Sequence, residues 1–150
     1  MKEAIRLSLE PMREGLGGPF GAVVARESTI LGRGWNKVTS ASDPTAHAEI
    51  VAIREACGML GTFRLDGCEM YASCEPCPMC MGAIYWARLD RLYFAATRED
   101  AAAAGFDDEW IYREISLPPD ARRLPSAQLL RILALPALAE WRSKPDKILY

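Results

Sequence analysis

Histidine is almost missing from this chain: His47 is the only one among 150 residues. A Ser-His-Asp triad or a Cys-His dyad would have to consume that single ring. If His47 is used as a ligand, a hydrolytic site here must move its protons with a carboxylate. A basic excess is also missing, since 18 Lys and Arg stand against 20 Asp and Glu for a net charge of −2. No overall charge advertises nucleic acid, so no nucleic-acid partner is expected. No apolar run approaches the roughly 18 residues that a membrane-spanning helix needs, so no membrane partner is expected either. The start, Met1-Lys2-Glu3-Ala4-Ile5-Arg6, carries charges where a signal peptide has its apolar core. These absences predict a soluble, cytoplasmic protein. Repeats, low-complexity tracts and linkers are absent too. Half of the residues are hydrophobic, which is enough to build the core of one domain over 1–150.

What is present is concentrated. The five cysteines are Cys57, Cys68, Cys74, Cys77 and Cys80, an odd number with three in one heptapeptide. In an intracellular chain that pattern argues for a metal rather than for disulfides. Upstream lies Thr45-Ala46-His47-Ala48-Glu49, and downstream Cys74-Glu75-Pro76-Cys77-Pro78-Met79-Cys80. His47, Cys77 and Cys80 offer one imidazole nitrogen and two thiolates. That borderline-soft set suits one Zn²⁺ per chain, and three protein ligands leave a fourth position for water. Glu49 is a poor ligand candidate and a good general acid/base beside such a water.

The spacing supports this reading. Cys77 and Cys80 share a helix face if helical, and Pro76 and Pro78 put that helix's first turn here. A helix N-terminus favours thiolate. Asp43-Pro44 is a second helix-start signal, so His47 falls at or just inside a helix entrance. At an irregular first turn, His47 and Glu49 can reach one pocket. The competing reading is a structural zinc knuckle, with Cys74 as a fourth sulfur closing the site. The strand-like run Glu69 to Ser73 and the turn made by the two prolines set Cys74 apart from Cys77.

The chain reads as alternating α and β. A stripe at Ile5, Leu9, Met12 and Leu16 predicts a first helix, kinked or broken at Pro11 and ended by Gly17-Gly18-Pro19. Phe20 to Ala25 and Thr29 to Asn36 read as a hairpin. A helix from near Ala46 to Leu60 carries a stripe at Ala46, Ile50, Ile53, Cys57 and Leu60, with Gly61 as its stop. A strand at Glu69 to Ser73 leads into the Cys-bearing helix through Trp86, and Arg91 to Ala96 is the next strand. Short helices are expected at Asp100 to Ala104 and Asp107 to Ile115. A strand at Gln128 to Leu135 and a helix at Pro136 to Lys144 complete the order. A hairpin followed by β-α units predicts a mixed sheet flanked by helices.

These residues resemble the cytidine-deaminase-like superfamily, whose zinc-dependent members share the His-x-Glu…Pro-Cys-x-x-Cys pattern. Within it the chain is similar to the small zinc-dependent guanine deaminases. The narrower resemblance rests on Gly17 to Val23, Asp43 to Glu49, Ser73 to Arg88 with its Tyr85-Trp86-Ala87-Arg88 end, Ala104-Gly105-Phe106-Asp107-Asp108, and Tyr150. It implies a three-layer α-β-α fold with a five-stranded mixed sheet. It implies a homodimer that exchanges C-terminal segments. It also implies hydrolysis of a purine base, guanine, to xanthine and ammonia. Asn36 would hydrogen-bond the purine, Asp108 would accept its N1 and N2 protons and assist Glu49, and Phe20 would pack on the base. Ala48 would aim its N–H at the developing oxyanion, and Tyr150 would close the pocket.

Plainer readings stand beside these. Asn36 also suits a turn, and Asp107 and Asp108 suit the start of a helix. Phe20 and Trp86 suit a core, and a terminal Tyr150 suits a frayed end. A tRNA adenosine deaminase shares both zinc motifs, and a guanosine, cytosine or triazine deaminase is a nearer alternative.

Overall fold

A computed structural model describes residues 1–149. The chain divides into two compact units, Met1–Tyr112 and the segment from Arg113 onward. The first unit contains one four-stranded sheet. Its strands are β1 (Gly21–Arg26), β2 (Thr29–Trp35), β3 (Glu69–Cys74) and β4 (Arg91–Ala96), in the order β2-β1-β3-β4. β1 pairs antiparallel with β2 and β3, and β3 pairs parallel with β4. β1 is central and buried almost throughout, while β4 is the exposed edge.

Helix α1 (Lys2–Arg13) covers one face of the sheet, and α3 (Ala48–Leu60) and α4 (Pro78–Trp86) cover the other. Ala4 and Leu7 pack on Val23 and Ala25. On the opposite face Ala48, Ala52, Ala56 and Ile84 pack on Ala22, Val24 and Met70. This is the expected three-layer arrangement. A short helix α2 (Val38–Ala41), α5 (Arg98–Ala103) and α6 (Asp108–Ser116) complete the elements beside the site.

Small residues let α3 sit close to the sheet. A Cβ on Gly34 would lie 2.0 Å from the Ala48 carbonyl oxygen, and one on Gly32 would lie 2.2 Å from that of Ala52. Gly61, with φ +64, closes α3 in the left-handed conformation that a glycine stop supplies.

Four expectations need correction. The sheet has four strands among the described residues, not five. The segment expected as the last strand, Gln128 to Leu135, instead leads into helix α7 (Arg131–Ser143), which runs through Pro136. Its Leu, Ala and Arg residues are good helix formers, and Ile132 is its only β-branched side chain. The α1 stripe Ile5, Leu9, Met12 and Leu16 is 36–42% exposed, and the buried positions are Ala4, Leu7 and Ser8. Pro11 does not break α1, which continues to Arg13, and the Glu14 N–H still donates to the Glu10 carbonyl at 3.2 Å.

The second unit is described by itself. A 3₁₀ turn spans Pro119–Ala121, and the Arg122 guanidinium donates to the carbonyls of Ile115 and Leu117. No described residue from 113 on is buried. No helix among the described residues is long and apolar enough to cross a membrane.

Candidate active site

Two helix starts meet at one point. His47 is the N-cap of α3 and Cys77 the N-cap of α4, both with extended backbone, and Pro78 follows Cys77 in the first helical turn. Proline suits that position because its missing N–H would have had no helical partner there. Cys80 lies one turn along α4 and is fully buried. The His47 Nδ1 lies 3.6 Å from the Cys77 Sγ and 3.6 Å from the Cys80 Sγ, and the two sulfurs are 3.6 Å apart. A tetrahedral zinc with Zn–S of about 2.3 Å and Zn–N of about 2.05 Å spaces such donors about 3.6–3.8 Å apart. The triangle therefore fits the ion in both donor chemistry and size.

The electrostatics favour a bound cation. A hydrogen bond with Cys80, together with the His47 ring, holds the Cys77 thiol down at about 4 against the pull of burial. The hydrogen bond between the two sulfurs and burial push the Cys80 thiol upward. A cation replaces the proton of that hydrogen bond when both sulfurs ionise. The Cys77 sulfur also raises the His47 imidazole's affinity for a proton, chiefly through their hydrogen bond.

Cys74 stands outside this group. Its thiol donates to the Thr97 carbonyl at 3.3 Å, and burial pushes it up to about 11. Among the described residues the cluster with ligand spacing is His47, Cys77 and Cys80 alone. Glu49, two residues into α3, is 8% exposed, and its Oε2 accepts from the Cys80 thiol at 3.4 Å. Desolvation by burial raises its pKa. A buried carboxyl that takes up protons readily is suited to carry them.

A cavity of about 240 Å³ opens over this group. His47, Glu49 and Cys77 form part of its wall, and so do Phe20, Asn36 and Asp108. Asn36 is 7% exposed, and its Oδ1 accepts from the N–H groups of Val38 at 3.1 Å and Gly18 at 3.4 Å. Two backbone donors fix which end of the amide is oxygen, so Nδ2 is the end left to donate. Asn36 thus makes the turn that starts α2 and also lines the cavity. Asp108 is the first residue of α6, and burial, then the nearby Cys77, raises its carboxyl pKa. Ala48 is buried between His47 and Glu49, adjacent to the cavity rather than on its wall. Tyr150 lies outside the described residues.

Sequence reasoning passed over several wall residues. Phe106 meets Phe20 edge to face with centroids 4.7 Å apart, which makes a two-ring aromatic wall. Its signal was its place two residues before Asp108. Val38, Thr39 and Glu75 also line the cavity. The first two follow Asn36, whose side-chain cap on Val38 is the kind of local turn that Asn favours.

The fold and this donor set define a class. The model of the cytidine and deoxycytidylate deaminase zinc-binding region matches residues 1–96, and the chain belongs to that deaminase family. Among its relatives, guanine deaminase of Bacillus subtilis (strain 168) is 49% identical over 147 residues, 98% of this chain and 94% of that protein. The solved structure of guanine deaminase from Bacillus subtilis superposes with a TM-score of 0.95, covering 99% of this chain and 95% of that one. Guanine deaminase from Nitrosomonas europaea is 35% identical with a TM-score of 0.67, over 71% of this chain and 62% of that one. The tRNA-specific adenosine deaminase of Aquifex aeolicus (strain VF5) is 45% identical over 78 residues, 52% of each protein.

Proposed function

We propose that this protein hydrolyses guanine to xanthine and ammonia with one zinc ion per chain, acting in the cytoplasm as a homodimer. One observation carries the reading: His47 and Cys77 of the ligand triangle, the buried Glu49 carboxyl, Asn36 and Asp108 all border one cavity, with Cys80 buried behind Cys77 within ligand spacing. The 49% identity to the Bacillus subtilis guanine deaminase over nearly the whole chain supports guanine as substrate.

Zinc held by His47, Cys77 and Cys80 would lower the pKa of a bound water to about 7 and so provide hydroxide at neutral pH. Glu49 takes the proton of the attacking water and passes it to ring N3 as C2 is attacked. As the C2–N2 bond breaks and the C2 carbonyl forms, Glu49 takes the remaining proton of the added hydroxyl and gives it to the departing amine, assisted by Asp108, so that ammonia leaves. Burial suits Glu49 to hold a proton between the two transfers. Asn36 donates through Nδ2 to an acceptor on the purine. Asp108 accepts from the N1–H and the N2 amine. Phe20 lies against the base. The Ala48 N–H, first in α3 and without an intrahelical acceptor, is directed to the developing oxyanion. Tyr150 keeps the pocket-closing role that the resemblance gives it.

The alternative is a tRNA adenosine deaminase, which the 45% identity over 78 residues to the Aquifex aeolicus enzyme favours. Asp108 argues against it, since the bare N1 acceptor of adenine would face a carboxylate. A site built to pair polar groups rejects an analogue that leaves them unpaired, at a cost of about 1–3 kcal/mol. The test is ammonia release from guanine, guanosine, adenine, cytosine and tRNA. Guanine should be fastest, and faster release from tRNA adenosine or cytosine overturns the reading.

A further inference from the structure

Helix α6 does more than carry Asp108 to the cavity. Tyr112 lies one turn after Asp108 and so on the same helix face. Its hydroxyl donates to the Pro76 carbonyl at 2.8 Å, on the residue immediately before Cys77. The Arg98 guanidinium lies over the Tyr112 ring at 5.0 Å. Arg98 also grips the same loop, since its N–H donates to Glu75 Oε2 at 3.2 Å and its side chain lies 3.7 Å from Glu75 Oε1. A third tie runs from the Glu75 N–H to the Ala96 carbonyl at 2.9 Å. The loop leading to Cys77 is therefore held from β4, α5 and α6. The Tyr112 bond ties it to the helix that bears Asp108.

We infer that Tyr112 is a positioning residue that sets Asp108 at a fixed distance from the Cys77 loop, with Arg98 bracing its ring. The inference rests on the guanine-hydrolysing reading of the site. Asp108 must accept two protons in a row on the purine edge, while the metal donors fix where C2 can be attacked. Those two demands meet only if the start of α6 and the start of α4 keep their spacing. A free ring at position 112 would let α6 slide while leaving His47, Cys77, Cys80 and Glu49 in place.

Tyr112→Phe keeps the ring and deletes the hydroxyl. The expected result is a KM for guanine raised about tenfold, the size of one lost hydrogen bond. kcat should fall by a smaller factor than KM rises, because Asp108 also assists the departing amine, and zinc content and thermal midpoint should be unchanged. Binding of 8-azaguanine to Glu49→Gln, measured by calorimetry without turnover, should weaken by the same factor when Tyr112→Phe is added. In an Asp108→Asn background Tyr112→Phe should change KM no further, because its effect passes through Asp108. Arg98→Gln should act in the same direction with smaller size. KM and 8-azaguanine affinity within twofold of the parent overturn the inference. So does loss of zinc or of folded protein in Tyr112→Phe, or full additivity with Asp108→Asn. A parent enzyme that neither binds nor deaminates guanine overturns the function itself, and the inference falls with it.

Discussion

At the scale of single residues, the ligand set and the proton carrier have separable jobs. Cys77→Ala removes one of three donors, and zinc should leave the protein, as metal analysis would report. Glu49→Gln keeps the shape of a buried side chain that is 8% exposed and removes its ability to carry protons. It should retain zinc and lose turnover by at least about 10²–10⁴-fold, the usual contribution of one general acid/base, here used twice. A Glu49→Gln variant within a few-fold of the parent would falsify the proton path. Much of this site was legible in the sequence, because metal chemistry narrows the residue types and because two prolines and one Asp-Pro announce helix starts. Asn36 was legible only as a pair of alternatives. It is both a turn residue and a wall residue, and nothing in the sequence tells which amide atom the backbone claims. Phe106 was missed because an aromatic gives the same pattern in a core as in a pocket wall.

At the scale of elements, hydrophobic periodicity found the helices but mistook the inner face of α1, where it singled out Ile5, Leu9 and Met12. The second stripe fared better, since Ala46 and Ile50 are buried and Ile53, Cys57 and Leu60 pack half-buried against the core. The faces that touch the sheet use small residues instead: Ala4 and Ser8 over Gly21, and Ala48, Ala52 and Ala56 over Gly32 and Gly34. A close approach of helix to strand selects against bulk, so the largest apolar stripe is not the buried one. Gly34→Ala tests this packing. The new Cβ would stand 2.0 Å from the Ala48 carbonyl oxygen and 2.7 Å from the Ala52 nitrogen, both backbone atoms at the catalytic end of α3. The helix has to move, at an overpacking cost of about 1–3 kcal/mol or more. That corresponds to a fall of roughly 2–10 °C in thermal midpoint for a chain of this size. Zinc affinity should fall as well, since His47 moves with α3. A Gly34→Ala protein with parental melting and zinc affinity would mean that α3 is not seated as described.

At the scale of the whole molecule, the two units differ in how far each satisfies its own apolar residues. Met1–Tyr112 has a core on both faces of its sheet. From residue 113 on, by contrast, Leu124, Leu129, Leu130, Ile132, Leu133, Leu138, Ile148 and Leu149 are each 67–80% exposed. A folded chain rarely leaves that many large apolar side chains to water without a use for them. The sequence could not show this, because a run of Leu and Ala reads the same whether it packs on its own chain or on another. We expect a second copy of the chain to cover these residues, with C-terminal segments exchanged and each tail helping to build the partner's site. Sedimentation should give a dimer at micromolar concentration. A truncation ending at Asp146 removes Lys147 to Tyr150, including two of the exposed aliphatic residues. It should weaken the dimer and lower guanine turnover by about tenfold or more, the equivalent of at least one lost hydrogen bond at the pocket mouth. The zinc triangle lies wholly within the first unit and should stay loaded. A truncated protein that sediments as a monomer and keeps full activity would show that the tail serves neither the interface nor the site.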